Sequence, residues 1–241
     1  MAKVKVVSWN IWGGQHLPEI LDSLSEFKPD IVCLQEVVRD LDGRNNTAEA
    51  IARHLGHKSS YFTPTYEIET AKYYKKLEPR TVAMGNAIVS KNAIQDFRVY
   101  PLSEEKTRFL IEALIPANGE MLHIFSTHLL HTHQKSSELQ ELQAKRVAEI
   151  IPKKRALLGA DLNATPKSTT VKILKHAMMN TDSTFAPTWS VYPEGCPVCK
   201  PQAVDTRLDY LFVTKDLKFD SFKVHESKGS DHLPISVVLE V

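Results

Sequence analysis

The stretch Arg155-Ala156-Leu157-Leu158-Gly159-Ala160-Asp161-Leu162-Asn163 decides how the rest of the chain is read. Its short apolar run predicts a strand over 155–159 buried on both faces. It then delivers two polar side chains, Asp161 and Asn163. A rigid strand aims whatever follows it, and the loop beyond tolerates polarity, so α/β proteins place their sites there.

The same design recurs along the chain. Asn10 follows Val6-Val7-Ser8-Trp9, Glu36 follows Ile31-Val32-Cys33-Leu34-Gln35, and His128 follows Ile124-Phe125-Ser126-Thr127. Asp209 lies inside Arg207-Leu208-Asp209-Tyr210-Leu211, and Asp231 and His232 precede a last apolar run. Each alone is an ordinary turn former, cap or solvated residue. It is their recurrence that carries meaning.

Around these points the pattern alternates strands and helices, then becomes strand-rich. Strands are expected over 3–9, 30–35, 81–90, 94–100, 108–115, 121–127, 208–214, 219–224 and 235–241. Helices are expected over 17–27, 46–55, 136–151 and 166–177. Asn46 is placed to cap the second, with Glu49 three residues on and Gly56 to end it. Pro166 suits the first turn of the last. Periodicity fails over 59–80, which reads as a surface excursion. Two groups of strands flanked by helices imply two sheets packed face to face, helices outside, in one domain spanning 1–241.

Composition sets limits. The 241 residues suffice for a core with a pocket at its edge. Thirty basic and 29 acidic residues leave a formal net charge of +1, so no global field draws the chain to nucleic acid or anionic membranes. No apolar run is long enough to span a bilayer, and the N-terminus alternates like a strand rather than a signal peptide. A cytoplasmic monomer is expected. Three cysteines do not make a disulfide framework.

The segments Ser8-Trp9-Asn10-Ile11, Leu34-Gln35-Glu36-Val37, Gly85-Asn86-Ala87-Ile88-Val89-Ser90, Thr127-His128-Leu129, Gly159-Ala160-Asp161-Leu162-Asn163, Arg207-Leu208-Asp209-Tyr210 and Ser230-Asp231-His232-Leu233-Pro234 resemble, in order and over nearly the whole chain, the motifs of the endonuclease/exonuclease/phosphatase superfamily. The resemblance implies a four-layer α/β/β/α sandwich of two packed mixed sheets, with the site at one edge. It implies hydrolysis of phosphate esters with Mg²⁺, or Mn²⁺ in its place. Glu36 would be the main metal ligand, with Asn10 and Asp231 completing the surroundings directly or through water. Asp161 would orient or deprotonate the attacking water. Asn163 and His128 would bond phosphoryl oxygens, and His232, steadied by Asp209, would contact the phosphate. Val38 stands where abasic endonucleases usually carry lysine, and His128 where they usually carry tyrosine. The pattern is closer to deoxyribonuclease I, sphingomyelinases, deadenylases and tyrosyl-DNA phosphodiesterases.

The chemistry stands on its own. A phosphodiester is an anion that water attacks slowly, and a hard cation held by carboxylates neutralises it and polarises the P–O bond. Mg²⁺ needs only one or two carboxylates and keeps several waters. The expectation is a nuclease acting on DNA or RNA; the alternatives are hydrolysis of a phospholipid or small phosphate ester, or an inactive binding module.

Several residues stay open between two readings. Asp209 pairs with His232 or forms a structural ion pair with Arg207. The Lys72-Tyr73-Tyr74-Lys75-Lys76 stretch with Arg80 either grips a phosphate backbone, Lys75 and Arg80 foremost, or is a solvated loop. Trp12 and Trp189 are pocket walls or packing residues. Cys196 and Cys199 have zinc-ligand spacing but form half a site, which leaves no role, a loop disulfide, or zinc completed by a histidine. Cys33 reads as core, while His131 and His133 remain unassigned.

Overall fold

The computed structural model describes residues 2–104, 108–196 and 198–241. Strand β1 (Lys3–Asn10) leads through helix α1 (Leu17–Phe27) to β2 (Ile31–Asp40) and α2 (Thr47–Leu55). Strand β3 (Ser59–Glu69), the short helix α3 (Thr70–Tyr73), β4 (Thr81–Ser90), β5 (Asp96–Pro101), β6 (Phe109–Ala117) and β7 (Glu120–His128) follow. Then come α4 (Glu138–Ile150), β8 (Ala156–Asp161), α5 (Thr169–Ala177) and β9 (Met179–Asn180). Strands β10 (Asp209–Val213), β11 (Lys218–Val224) and β12 (Ile235–Glu240) close the chain.

The strands form two six-stranded mixed sheets, ordered β11-β12-β1-β2-β4-β3 and β5-β6-β7-β8-β10-β9. Each has one parallel pair, β1 with β2 and β7 with β8, among antiparallel neighbours. The alternation of strand side chains sorts them into three apolar layers. Val6, Cys33, Ile111, Ile124, Leu157 and Leu211 meet between the sheets. Val7, Trp9, Val32 and Leu34 face Ile20, Leu24 and Ile51 of α1 and α2. Phe125, Leu158, Ala160 and Phe212 face Val147, Val171 and Leu174 of α4 and α5. This is the expected α/β/β/α sandwich. Gly159 lets the sheets close at the site end: a Cβ there would come within 2.8 Å of Cys33 Cβ and 2.9 Å of Ser8 Oγ.

Helix caps follow the sequence in α2, where Asn46 accepts from Ala48 N at 3.0 Å and Gly56 ends the helix in the left-handed region. Two expectations need correction, and one strand was not foreseen. Residues 59–69 are not an excursion but the edge strand β3. Its two faces are only partly covered and its pairing with β4 shifts register between Pro64 and Tyr66, so no alternation survives in the sequence. Helix α5 starts at Thr169, with Ser168 Oγ accepting from Val171 N at 3.2 Å, so Pro166 precedes it. Strand β9, two residues long, carries too little pattern to be read.

Candidate active site

Register aligns one side of the site. His128, Asp161 and Asp209 are direct neighbours across β7, β8 and β10. The other side comes from the first sheet. Asn10 ends β1, and Glu36 sits inside β2 at a bulge, with φ of 51°, where pairing with β4 slips between Leu34 and Val37. A bulge re-aims a side chain that the regular pleat would send elsewhere. Asp231 and His232 sit in the turn before β12. Ser230 Oγ donates to Asn10 O at 2.7 Å and Trp9 Nε1 to His232 O at 2.8 Å, locking that turn to β1.

Asn10 joins the two sides. Its amide donates to Asp161 Oδ2 at 2.9 Å and to Glu36 Oε1 at 3.2 Å. Asp161 is fully buried; its Oδ1 accepts from Asn163 N at 2.8 Å, and its Oδ2 lies 3.5 Å from His128 Nε2 and 3.7 Å from His232 Nε2. His232 Nδ1 lies 2.9 Å from Asp209 Oδ2, which also accepts from Thr188 Oγ1 at 2.6 Å. Asp231 Oδ2 accepts from Trp189 Nε1 at 3.0 Å. Asn163 Nδ2 donates to His128 Nε2 at 2.8 Å and to Leu129 O at 3.1 Å.

The two histidines hold opposite charge states. Burial pushes His128 down to about 3, against an upward pull from Asp161, so its ring is neutral. Burial also works against charge on His232, but Asp209, Asp161 and Asp231 overcome it and hold the ring well above the usual imidazole range. Burial pushes the Asp231 carboxyl up to about 7, with His232 pulling it down and Glu36 and Asp161 adding to the rise. Buried carboxylates that crowd one another in this way, offering oxygen ligands, fit a hard divalent cation. Glu36 and Asp231 supply carboxylate oxygens of the kind it takes, while Asn10 turns its amide nitrogen to Glu36 and Asp161 and its Oδ1 to Trp12 N at 3.0 Å. Asp161, Asp209 and His232 also lie close enough to share an ion, but Asp209 is already engaged by His232 and Thr188.

Arg207 does not compete for the Asp209 carboxylate. It forms a buried ion pair with Asp182 at 2.9 Å and donates to the Asp209 carbonyl. Trp189 is buried against Cys196 and Leu208, with its N–H on Asp231. Lys75 is exposed, whereas Arg80 is tied to Asp40 at 2.8 Å and Lys72 to Glu69 at 3.0 Å. Sequence reading missed Tyr74. It is buried, and its hydroxyl donates to Glu36 Oε2 at 2.9 Å. It named Trp12 as a pocket wall or packing residue but missed His16 and Tyr192, which stack with it into a rim of three rings with centroids 5.0 to 6.1 Å apart.

No helix among the described residues is long and apolar enough to cross a membrane. The profile of the Endonuclease/Exonuclease/phosphatase family matches residues 7–232. No curated protein matches the chain. Among solved structures, an endonuclease/exonuclease/phosphatase from Beutenbergia cavernae superposes with a TM-score of 0.79 at 20% identity, covering 100% of this chain and 72% of that one. The mannosyl-6-phosphatase Bt3783 of Bacteroides thetaiotaomicron gives 0.71 at 16%, covering 99% and 100%. D. rerio TDP2 complexed with a single-strand DNA product gives 0.69 at 14%, covering 100% of both. At these identities the likenesses speak for the fold. The family profile, spanning every strand end described above, shows that the chain belongs to the Endonuclease/Exonuclease/phosphatase family of phosphoester hydrolases.

Proposed function

We propose that the protein is a divalent-metal-dependent phosphodiesterase acting on nucleic acid. The observation that carries the catalytic reading is the convergence of Glu36, Asn10 and Asp231 on one side with Asp161, His232 and Asn163 on the other, bridged by the Asn10 amide. A Mg²⁺ ion held by Glu36 and Asp231, with Asn10 reaching it through water, would neutralise the phosphate and polarise the P–O bond. Asp161, with one oxygen on Asn10 and the other on Asn163 N, is fixed to orient the attacking water and receive its proton. His232, kept charged by Asp209, donates from Nε2 to a phosphoryl oxygen as negative charge builds there. Neutral His128 accepts from Asn163 and so orients that amide.

The aromatic rim favours nucleic acid over a lipid. Trp12, His16 and Tyr192 stack beside Lys76, whose Nζ lies 3.4 Å from His16 Nδ1. Rings next to cations suit stacked bases and a phosphate backbone. The TDP2 likeness, to a complex with single-strand DNA, is compatible with this; the phosphatase Bt3783, on the same fold, keeps a small phosphate ester as the second reading. The deciding experiment is a panel of single- and double-stranded DNA, RNA, sphingomyelin and sugar or inositol phosphates, each with Mg²⁺, Mn²⁺ and chelator. Metal-dependent cleavage of DNA or RNA is the expected result. Turnover of a lipid or sugar phosphate with none of nucleic acid overturns the substrate assignment.

A further inference from the structure

Outside this cleft, His131, His133, Cys196 and Cys199 come together from two loops. One ligand atom from each lies within 4.8 Å of all the others. His133 Nδ1 is 3.5 Å from Cys196 Sγ, 3.4 Å from Cys199 Sγ and 2.9 Å from His131 Nε2. Zinc bonds of about 2.0–2.1 Å to nitrogen and about 2.3 Å to sulfur give tetrahedral edges of roughly 3.3–3.8 Å. The sulfur–nitrogen distances match those edges, and the two nitrogens need part by only a few tenths of an ångström.

The surroundings match as well. Cys199 N donates to Cys196 Sγ at 3.1 Å, and Lys200 N donates to Cys196 O at 3.0 Å with Lys200 at a φ of 48°. Both sulfurs thereby lie on the same side, toward His133 Nδ1. His131 turns its other nitrogen, Nδ1, to Asn163 Oδ1 at 2.9 Å, the outer contact that fixes a ligand histidine. All three cysteines are free thiols.

We propose that these four residues form a structural zinc site that staples together the two loops flanking the catalytic cleft. Zn²⁺ displaces the two thiol protons and leaves a neutral Cys₂His₂ centre. The donors are soft and borderline, unlike the oxygen set around Glu36, so the two sites select different metals.

The staple has something to hold. Between β9 and β10, the described residues of 181–208 carry the short helical turn Pro193–Gly195 and the single bridges of Trp189 to Thr206 and His232, with no strand or longer helix. This loop packs a small cluster of Trp189, Cys196 and Leu208. It nevertheless supports Asp231: Val191 N donates to Asp231 O at 2.8 Å, and a Cβ on Gly195 would lie 2.6 Å from Asp231 Oδ2. On the opposite side, His131 holds Asn163. Zinc would therefore fix one residue on each wall of the cleft through groups that do not touch substrate.

The test needs no turnover. Protein purified without metal-affinity resin is analysed for metal content, and the apoprotein is titrated with Co²⁺. About one zinc per chain is expected, with the ligand-field bands of tetrahedral cobalt and a thiolate-to-cobalt charge-transfer band. The Cys196→Ser/Cys199→Ser double variant and His133→Ala should each lose zinc and the thiolate band, and zinc should raise the melting temperature of the wild type alone. Octahedral cobalt without a thiolate band, or no retained zinc, overturns the proposal. So does thiol titration of the denatured, unreduced protein that finds one reactive thiol in place of three, since Cys196 and Cys199 would then be a disulfide. These readouts are independent of whether the cleft hydrolyses nucleic acid.

Discussion

Tyr74 donates its hydroxyl to Glu36 Oε2 at 2.9 Å, while Glu36 Oε1 accepts from Asn10 at 3.2 Å. The carboxylate proposed as the main metal ligand is thus held at both oxygens, on a bulge that already fixes its backbone. Burial, with the Glu36 charge next to it, holds the Tyr74 phenol well above its usual range, so it remains a donor.

Tyr74→Phe removes that donor and leaves the ring. The lost hydrogen bond is worth about 1 kcal/mol, so the fold should persist. The metal site should loosen: contacts that orient metal ligands typically contribute about 10–100-fold in affinity or activity. Activity titrated against Mg²⁺ should show a higher half-saturating concentration, with turnover largely recovered at saturating metal. Glu36→Gln should lose activity that added Mg²⁺ does not restore. An unchanged Mg²⁺ titration for Tyr74→Phe would show that the contact has no bearing on metal.

The second expectation separates the reactive groups from their support. Asp161→Asn and His232→Ala should each lower turnover by at least about 10²-fold. Asp209→Asn keeps a group that can bond His232 Nδ1 but removes the charge that holds the ring protonated. It should lie between wild type and His232→Ala in steady-state turnover. A full-activity Asp209→Asn with a lowered melting temperature would make Asp209 a stability residue only.

How much of this was legible depends on burial. The runs 6–7, 31–34, 87–89 and 156–160 are buried in successive residues, so they are apolar on both faces and the polar residues near them stand out. Edge strand β3 has no such signature. Asp161, His232 and the rest of the motif set announce themselves by following those runs. Tyr74 does not: it sits beside Tyr73 in a Lys-rich segment, and only the fold buries one ring and leaves the other 60% exposed. Likewise, Cys196 and Cys199 read as half a site. Their nearest imidazole comes from His133, 63 residues earlier by the Cys196 contact, a pairing that no local pattern contains.

Arg207 and Asp182 form an ion pair with both side chains about 1% exposed. Removing one member strands a buried charge, which typically costs about 3–5 kcal/mol. Arg207→Met and Asp182→Asn should therefore lower the urea midpoint sharply. Their double variant should lose less than the sum of the two. Strict additivity would show that the charges do not act on one another.

Acid stability should depend on His225. Burial, with Lys223 and Lys5 nearby, pushes its ring down to about 4; it lies 4.1 Å from Phe27, and its Nε2 bonds Ser236 Oγ at 2.7 Å. In the unfolded chain this histidine protonates near 6.5. Between these values the unfolded state binds the proton more tightly, so the stabilisation is complete above about pH 6.5 and is lost as pH falls toward about 4. His128 acts in the same direction. The melting temperature should drop across this window, and His225→Asn should flatten the drop while lowering stability at pH 8. An equal drop in the variant would assign the effect elsewhere.

The last expectation concerns the rim. Arg80 is occupied by Asp40 and Lys72 by Glu69, whereas Lys76 lies against the aromatic stack and its neighbour Lys75 is exposed. If a single strand tracks across them, each lost phosphate contact should flatten the log–log salt dependence of binding by about 0.7. Lys75→Ala/Lys76→Ala should therefore weaken binding of an oligonucleotide at low salt more than at high salt. Trp12→Ala or Tyr192→Ala acts through stacking, worth about 1–3 kcal/mol per base, and should weaken binding at all salt concentrations with the slope unchanged. Hydrolysis of a small chromogenic phosphodiester, which reaches only the metal and Asp161, should fall far less in either case. Equal losses on both substrates would mean that the rim shapes the catalytic cleft itself. The protein would then select its substrate close to the scissile phosphate, as expected of an enzyme for small phosphate esters.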